Sequence, residues 1–343
     1  MNLAEIKKAY FIGIKGAGMT AVAEILKARG ISVSGSDTKE KFFTDEILER
    51  NRISFVEEFN AENIPNDIDL VIYSTAYSEN NNAEMLEAKK RGVLMLSYPE
   101  VLGELFKEKL GIAVCGTHGK TTTTAIVATC LKEAEVKPSA IVGSKVIEWG
   151  SSVLKGKGNF FVAEADEYQN KLEYYNPWAV VLTSIDYDHP DFFPTFENYK
   201  KAFIDFVKKI PKHGFLIVCG DDASAIEISS NAKCEVLKYG FSDGSDYKIS
   251  KISNFQFPIS NKNQNQKFFV SYKNEKIGDF EIQLIGKHNI LNATVAIVVC
   301  HKLKLDLEKV KVALLNFKGT SRRFEYIGER DGATLIDDYA HHP

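Results

Sequence analysis

Short apolar runs alternate with longer amphipathic stretches from one end of this chain to the other. Residues 9–14, Ala-Tyr-Phe-Ile-Gly-Ile, predict a strand, and the turn Gly-Ala-Gly-Met (16–19) leads into a helix reaching about residue 29. A second strand at 31–34 ends at Gly-Ser-Asp (35–37), and two more are predicted at 70–73 and 93–96, with helical stretches between. The alternation continues with strands at 110–114, 140–142, 160–163, 179–182 and 214–218. Strands that alternate with helices build parallel sheets covered on both faces, so the fold class is α/β. Between about 247 and 285 the pattern changes. Short strands at 248–250, 267–271 and 280–283 predict a small antiparallel region, with a solvated polar turn at 261–266. Residues 289–303 return to helix, and 333–336 read as a last strand.

Length and charge narrow the class. The chain has 343 residues, enough for two or three domains, and 44% hydrophobic content supports sizeable cores. Lys and Arg number 43 against 46 Asp and Glu, net −3, which gives no basic surface for nucleic acid. The five cysteines are scattered, with no C-x-x-C pair, as expected of reduced thiols. The N-terminus lacks a signal-peptide core and no apolar run nears membrane-spanning length. A cytoplasmic protein that neither enters a membrane nor binds nucleic acid is expected.

The strand at 110–114 runs into Cys-Gly-Thr-His-Gly-Lys-Thr-Thr (115–122), and 125–131 reads as the helix that follows. Strand, glycine-bearing loop, Lys-Thr and helix is the layout of a phosphate-binding loop. Its backbone N–H groups and the helix N-terminus face an anion, Lys120 reaches terminal phosphates, and the Thr121 hydroxyl suits Mg²⁺. The loop is shorter than the common pattern, because Val114 stands five residues before Gly119 where that pattern has glycine. Cys115 reads as packing at a strand end.

Other clusters sit at strand ends. Gly13, Gly16 and Gly18 form a glycine turn with Asp37 after the next strand, in G-x-x-G-x-G rather than G-x-G-x-x-G spacing. Such a turn serves a UDP-linked diphosphate as well as NAD. Glu-Ala-Asp-Glu (164–167) and the segment 184–191, which contains His189, follow two strands at what would be one sheet edge, and the carboxylates suit Mg²⁺. Asn289 and Asn292 lie one helical turn apart, and their amides can read an adenine edge, although Asn289 also reads as a helix cap. Arg322 and Arg323 precede the last strand, where a linker arginine reaches a phosphate or simply forms a surface pair. These readings predict a Rossmann-like parallel-sheet domain over 1–109, a P-loop-type ATPase domain over 110–325 that includes the antiparallel region, and, at 326–343, the opening of a third α/β domain essentially missing from this sequence.

At this point the residues converge: the chain resembles the Mur ligases, ATP-dependent amide-forming enzymes of peptidoglycan precursor synthesis. The resemblance is carried by Gly-Thr-His-Gly-Lys-Thr-Thr (116–122), Glu-Ala-Asp-Glu (164–167), Asp-His (188–189), Gly-Lys-His-Asn-Ile-Leu-Asn (286–292), Arg-Arg-Phe-Glu (322–325) and Asp-Asp-Tyr-Ala-His-His-Pro (337–343). The first glycine turn through Met19, with Ser-Gly-Ser-Asp (34–37), is most similar to members that join L-alanine to the lactyl carboxylate of UDP-N-acetylmuramate. Members that attach a recycled tripeptide to the same sugar nucleotide are the alternative.

The resemblance implies ATP, UDP-N-acetylmuramate and L-alanine as substrates, Mg²⁺ as cofactor, an acyl-phosphate intermediate, and a monomer or weak homodimer. It implies that Lys120, His189 and Arg323 are catalytic, with Lys120 on the β- and γ-phosphates and Arg323 approaching them. Gly116, Thr117, His118, Gly119 and Thr122 would complete the nucleotide loop. Thr121, Glu164 and His189 would serve the metal sites. His288, Asn289 and Asn292 would face adenine, and Asp338 the ribose. Tyr339 and His341 would lie near the incoming amine. Gly13, Gly16, Ala17, Gly18, Met19, Asp37, Ser74 and Thr75 would form the UDP site. Two positions depart from the family pattern: Ser184 replaces a usual Asn, and Lys15 a frequent glycine, adding a charge expected to favour the diphosphate. Two other classes compete. A dehydrogenase is disfavoured by the glycine spacing and has no use for Lys120, and a non-catalytic binding module would bind UDP-sugar without ligating.

Overall fold

The computed structural model describes residues 3–253 and 265–339. The polar turn expected at 261–266 lies, except for its last two residues, outside them. The chain forms two compact units, residues 1–108 and 109–343.

In the first unit five strands form one all-parallel sheet: β1 (Lys8–Ile12), β2 (Ser32–Ser36), β3 (Ser54–Val56), β4 (Leu70–Tyr73) and β5 (Leu94–Ser97), in the order β3-β2-β1-β4-β5. Helices α1 (Ala17–Ala28), α2 (Phe43–Arg50), α3 (Ala83–Lys90) and α4 (Tyr98–Lys107) connect them. α1 buries a continuous run from Met19 to Leu26, which a sheet-covering helix requires. Ile12 pairs with both Ser36 and Tyr73. The turn after β1, Asp37 and Ser74 therefore emerge at one carboxyl edge.

The second unit is built on a ten-stranded sheet. Its strands are β6 (Leu110–Cys115), β7 (Ser139–Val146), β8 (Ser151–Lys155), β9 (Phe160–Glu164), β10 (Ala179–Leu182), β11 (Phe215–Cys219), β12 (Glu235–Gly240), β13 (Tyr247–Ser253), β14 (Gln266–Tyr272) and β15 (Glu275–Ile282). The order is β15-β14-β13-β12-β11-β10-β6-β9-β7-β8. β6 lies between β9 and β10, parallel to both. The antiparallel region is not separate. β13 pairs parallel with β12, and β14 and β15 then extend the same sheet in antiparallel sense.

Among the described residues, the α-helices of this unit are α5 (Lys120–Glu133), α6 (Phe196–Val207), α7 (Ala223–Ser229), α8 (Lys287–Lys302) and α9 (Leu307–Asn316). α5 packs against α8 and α9. α8 is buried almost all round from Asn289 to Cys300, as a helix inside a layered core must be. A terminal hairpin pairs β16 (Glu325–Arg330) with β17 (Ala333–Asp337). Among the described residues no helix is long and apolar enough to cross a membrane.

Candidate active site

β6 ends at Cys115 and α5 begins at Lys120, so the chain reverses within the intervening loop. Gly119 caps α5 at φ +78, a left-handed conformation, and a side chain there would also meet Asn292 Oδ1 at 2.8 Å. No side chain caps the helix, which leaves its positive end to an anion. The Lys120 ammonium donates to the carbonyls of Gly116 (2.6 Å) and Thr117 (3.3 Å) and lies 3.4 Å from Glu167 Oε2.

The loop is braced from the end of β10. The Thr117 N–H donates to the Ser184 carbonyl (2.8 Å), the His118 N–H to Ser184 Oγ (3.3 Å), and the Thr183 hydroxyl to the His118 carbonyl (2.6 Å). His118 Nε2 lies 3.1 Å from Asp186 Oδ2. Ser184 thus supports the loop with its carbonyl and its hydroxyl. Cys115 is fully buried, and burial pushes its thiol well above the ordinary value. It is packing, not a nucleophile.

β9 is in register with β6 so that Glu164 pairs with Val114, which sets its carboxylate beside the loop. Glu164 Oε2 accepts from the Thr121 hydroxyl (3.2 Å), and Oε1 from the Gly143 N–H (2.5 Å). Burial raises the Glu164 pKa, opposed by the Gly143 N–H, Lys120, the Thr121 hydroxyl and Arg323. Glu167 is completely buried; its Oε1 accepts from the Tyr199 hydroxyl (2.8 Å) while Oε2 faces Lys120. His189 Nε2 lies 4.0 Å from Glu167 Oε1, and its ring packs 4.6 Å from that of Tyr168. Among the described residues, Asp166, Glu167 and His189 bring one ligand atom each within 4.8 Å of the others. The residues expected at metal sites therefore divide: Thr121 pairs with Glu164, and His189 joins Asp166 and Glu167.

Asn289 and Asn292 are buried and tie α8 to α5. The Thr123 hydroxyl donates to Asn292 Oδ1 (3.0 Å), Asn292 Nδ2 to Asn289 Oδ1 (3.2 Å), and Asn289 Nδ2 to the Ile285 carbonyl (2.8 Å). At the start of α8, desolvation lowers the His288 pKa against the pull of Asp338. Asp338 also accepts the Phe324 N–H (2.7 Å). The guanidinium groups of Arg322 and Arg323 lie 5.0 and 5.5 Å from the centre of the Tyr339 ring. His341 lies outside the described residues.

In the first unit the glycine turn largely satisfies itself. The N–H groups of Gly13 and Ile14 donate to the Ser36 carbonyl, that of Gly16 to the Gly13 carbonyl, and that of Lys15 to Asp37 Oδ2 (2.6 Å). Asp37 thereby holds the turn. Ala17, Gly18 and Met19 open α1 and form its positive end. At the end of β4, the Ser74 N–H donates to the Ile12 carbonyl, and the exposed Thr75 follows. The expectation for Lys15 is corrected. Its side chain is fully enclosed and donates to the carbonyls of Thr38 and Glu40 and to Glu57 Oε1, each at 2.9 Å, with Asp45 Oδ1 at 3.0 Å. A buried ammonium requires paired carboxylates, and here they turn it away from any diphosphate.

Residues 8–110 match the Mur ligase family catalytic domain, and residues 114–300 match the Mur ligase middle domain. Over 335 residues the chain is 38% identical to the UDP-N-acetylmuramate–L-alanine ligase of Desulfitobacterium hafniense, covering 97% of this chain and 72% of that protein. The chain belongs to the Mur ligase family. Its fold superposes on the UDP-N-acetylmuramate-alanine ligase of Thermotoga maritima with a TM-score of 0.82 at 28% identity, over 98% of this chain and 74% of that one. It also superposes on the UDP-N-acetylmuramate:L-alanyl-γ-D-glutamyl-meso-diaminopimelate ligase of Neisseria meningitides with a TM-score of 0.80 at 26% identity, over 92% of this chain and all of that one.

Four contributors to the site of this Mur ligase carry little individual sequence signal. Asp166 and Glu167 sit inside a recognisable acidic motif, but spacing alone does not separate their tasks from that of Glu164. Gly143 acts through its backbone. Tyr199 lies on an amphipathic helix, where its ring reads only as core.

Proposed function

We propose that this Mur ligase joins L-alanine to the lactyl carboxylate of UDP-N-acetylmuramate, converting ATP to ADP and phosphate. The observation that carries the reading is the convergence at the N-terminus of α5 of Lys120, the Thr121–Glu164 pair and the Glu167–His189 cluster. The similarity to named L-alanine ligases supports the choice of amine.

A carboxylate is a poor electrophile. Attack of a lactyl carboxylate oxygen on the γ-phosphorus breaks the bond to the β–γ bridging oxygen, releases ADP and leaves an acyl phosphate. The alanine nitrogen then attacks the acyl carbon, loses a proton, and phosphate departs. Two anions must meet in the first step, so the chain has to neutralise charge. We assign Lys120 to the β- and γ-phosphates, and Arg323, whose charge lowers the Glu164 pKa, to the charge that develops beside them. We assign the UDP moiety to the first unit, at the positive end of α1, adenine to the face of α8 that carries Asn289 and Asn292, the ribose to Asp338, and the amine to the vicinity of Tyr339.

The hydroxyl and carboxylates of these donor sets are hard oxygen ligands that fit Mg²⁺, and His189 adds one imidazole nitrogen. Thr121 and Glu164 would hold one ion and Asp166, Glu167 and His189 another; bound there, Mg²⁺ would supply positive charge against the phosphates.

The test is ADP release by the full-length protein with UDP-N-acetylmuramate, ATP and Mg²⁺, supplying L-alanine, glycine, L-serine or the tripeptide L-alanyl-γ-D-glutamyl-meso-diaminopimelate in turn. Turnover with L-alanine supports the proposal. Turnover with the tripeptide alone moves the chain to the recycling ligases, and silence with every amine overturns the ligase reading.

A further inference from the structure

We propose that Tyr199 is a positioning residue of the phosphate site, aligning Lys120 through Glu167 and the loop through Thr117. The proposal rests on the ligase reading above and deepens it.

Tyr199 is completely buried on α6, and its ring sits in an aromatic cluster. Ring centres of Phe203, Phe193 and Tyr187 lie 5.1, 5.2 and 6.2 Å from its own, in edge-on arrangement. This cage fixes where the hydroxyl points. It donates to Glu167 Oε1 at 2.8 Å and lies 2.9 Å from Thr117 Oγ1. With its single proton on the carboxylate, the phenol oxygen faces Thr117 as an acceptor, and the one Thr117 proton is shared between it and the Asp186 carbonyl, 2.8 Å away.

One hydroxyl therefore joins two groups on either side of the loop. Glu167 is a buried carboxylate whose other oxygen faces the Lys120 ammonium at 3.4 Å. Without the phenol, Glu167 loses the contact that fixes its rotation, and Lys120 loses a fixed partner. Thr117 supplies part of the loop backbone and is also held at Asp186, whose N–H donates to its hydroxyl at 2.9 Å. Tyr199 thus couples the acidic motif after β9 to the loop after β6 without touching a phosphate.

The variant Tyr199→Phe keeps the aromatic cage and deletes the hydroxyl. In the full-length protein we expect the ATP dissociation constant, measured calorimetrically with Mg²⁺, to rise about tenfold, the usual scale for a hydrogen bond to a buried charge. kcat/KM for ATP should fall by a similar factor, while the KM values for UDP-N-acetylmuramate and L-alanine stay unchanged. In the Glu167→Gln background the same change should cost less than about threefold, because its route to Lys120 is already cut. Wild-type ATP affinity in Tyr199→Phe, or losses that simply multiply in the double variant, would overturn the proposal. A wild-type enzyme inactive with every amine sinks the ligase reading instead, while the ATP-binding comparison still decides the role of Tyr199.

Discussion

The backbone N–H of Gly143 and the carboxylate of Glu164 meet at 2.5 Å, and a Cβ on Gly143 would stand 2.8 Å from both carboxylate oxygens. The backbone of β7 can thus approach Glu164 only because residue 143 has no side chain. Gly143→Ala should push the carboxylate off Thr121 and lower kcat/KM for ATP about tenfold. The melting temperature should shift by only a few degrees, because the clash is with the far end of a side chain and not with backbone. Steady-state kinetics beside a thermal melt checks this, and unchanged ATP kinetics would refute it.

Lys120 has the largest expected effect. Removing one preorganised charge from a phosphoryl-transfer site costs roughly 10²–10³ in rate. Lys120→Ala should show that loss in kcat, with binding of UDP-N-acetylmuramate intact by calorimetry. A kcat close to wild type would remove Lys120 from the mechanism.

Lys15 predicts stability rather than catalysis. Lys15→Met leaves the buried Asp45 with only the more distant, exposed Lys41 at 3.9 Å, which should destabilise the first unit by about 3 kcal/mol in urea unfolding. Little loss would mean that the carboxylates repack or reach water.

The same cage has a pH signature. Hydrogen bonds from Lys41 and then Lys15 lower the Glu57 carboxyl from 4.5 to about 2. A depressed carboxyl stabilises the fold above its unfolded value and loses that contribution as pH falls through its folded value. Stability of the wild type should therefore decline between about pH 4.5 and 2 partly through Glu57, and the decline should flatten in Lys41→Met. Parallel urea titrations of both proteins across that window decide it.

The thiols give an inexpensive check of the core. Cys115, Cys130, Cys219 and Cys300 are buried, and Cys234 is partly exposed. Native protein should titrate at most Cys234 with an aromatic disulfide reagent, and all five cysteines after denaturation. Rapid reaction of several thiols in native buffer would contradict the packing around α5 and α8.

What could be read beforehand followed from burial. Residues 70–73 and 179–182 are continuous apolar runs and are strands with those bounds, because a strand of a covered parallel sheet is apolar on both faces. Ser54–Val56 and Glu235–Gly240 are only part-buried, so their composition carries little signal. The turn between β6 and α5 was legible as a strand-loop-helix because its signal is local: glycine, lysine and threonine within a few residues. Lys15 was misread because its partner Glu57 is 42 residues away, and Tyr199 escaped notice because Glu167 is 32 residues away. One-dimensional spacing does not reveal which side chains share a buried pocket.

His189 holds its backbone at φ +54, where a glycine would rest without strain and an imidazole-bearing residue does not, at a cost of about 1 kcal/mol. Under the metal-site role proposed for His189, the position is a point of conflict between two kinds of selection. Variants chosen only for heat tolerance should drift there toward glycine or asparagine, and a thermal screen would rank them as improvements at the expense of that role.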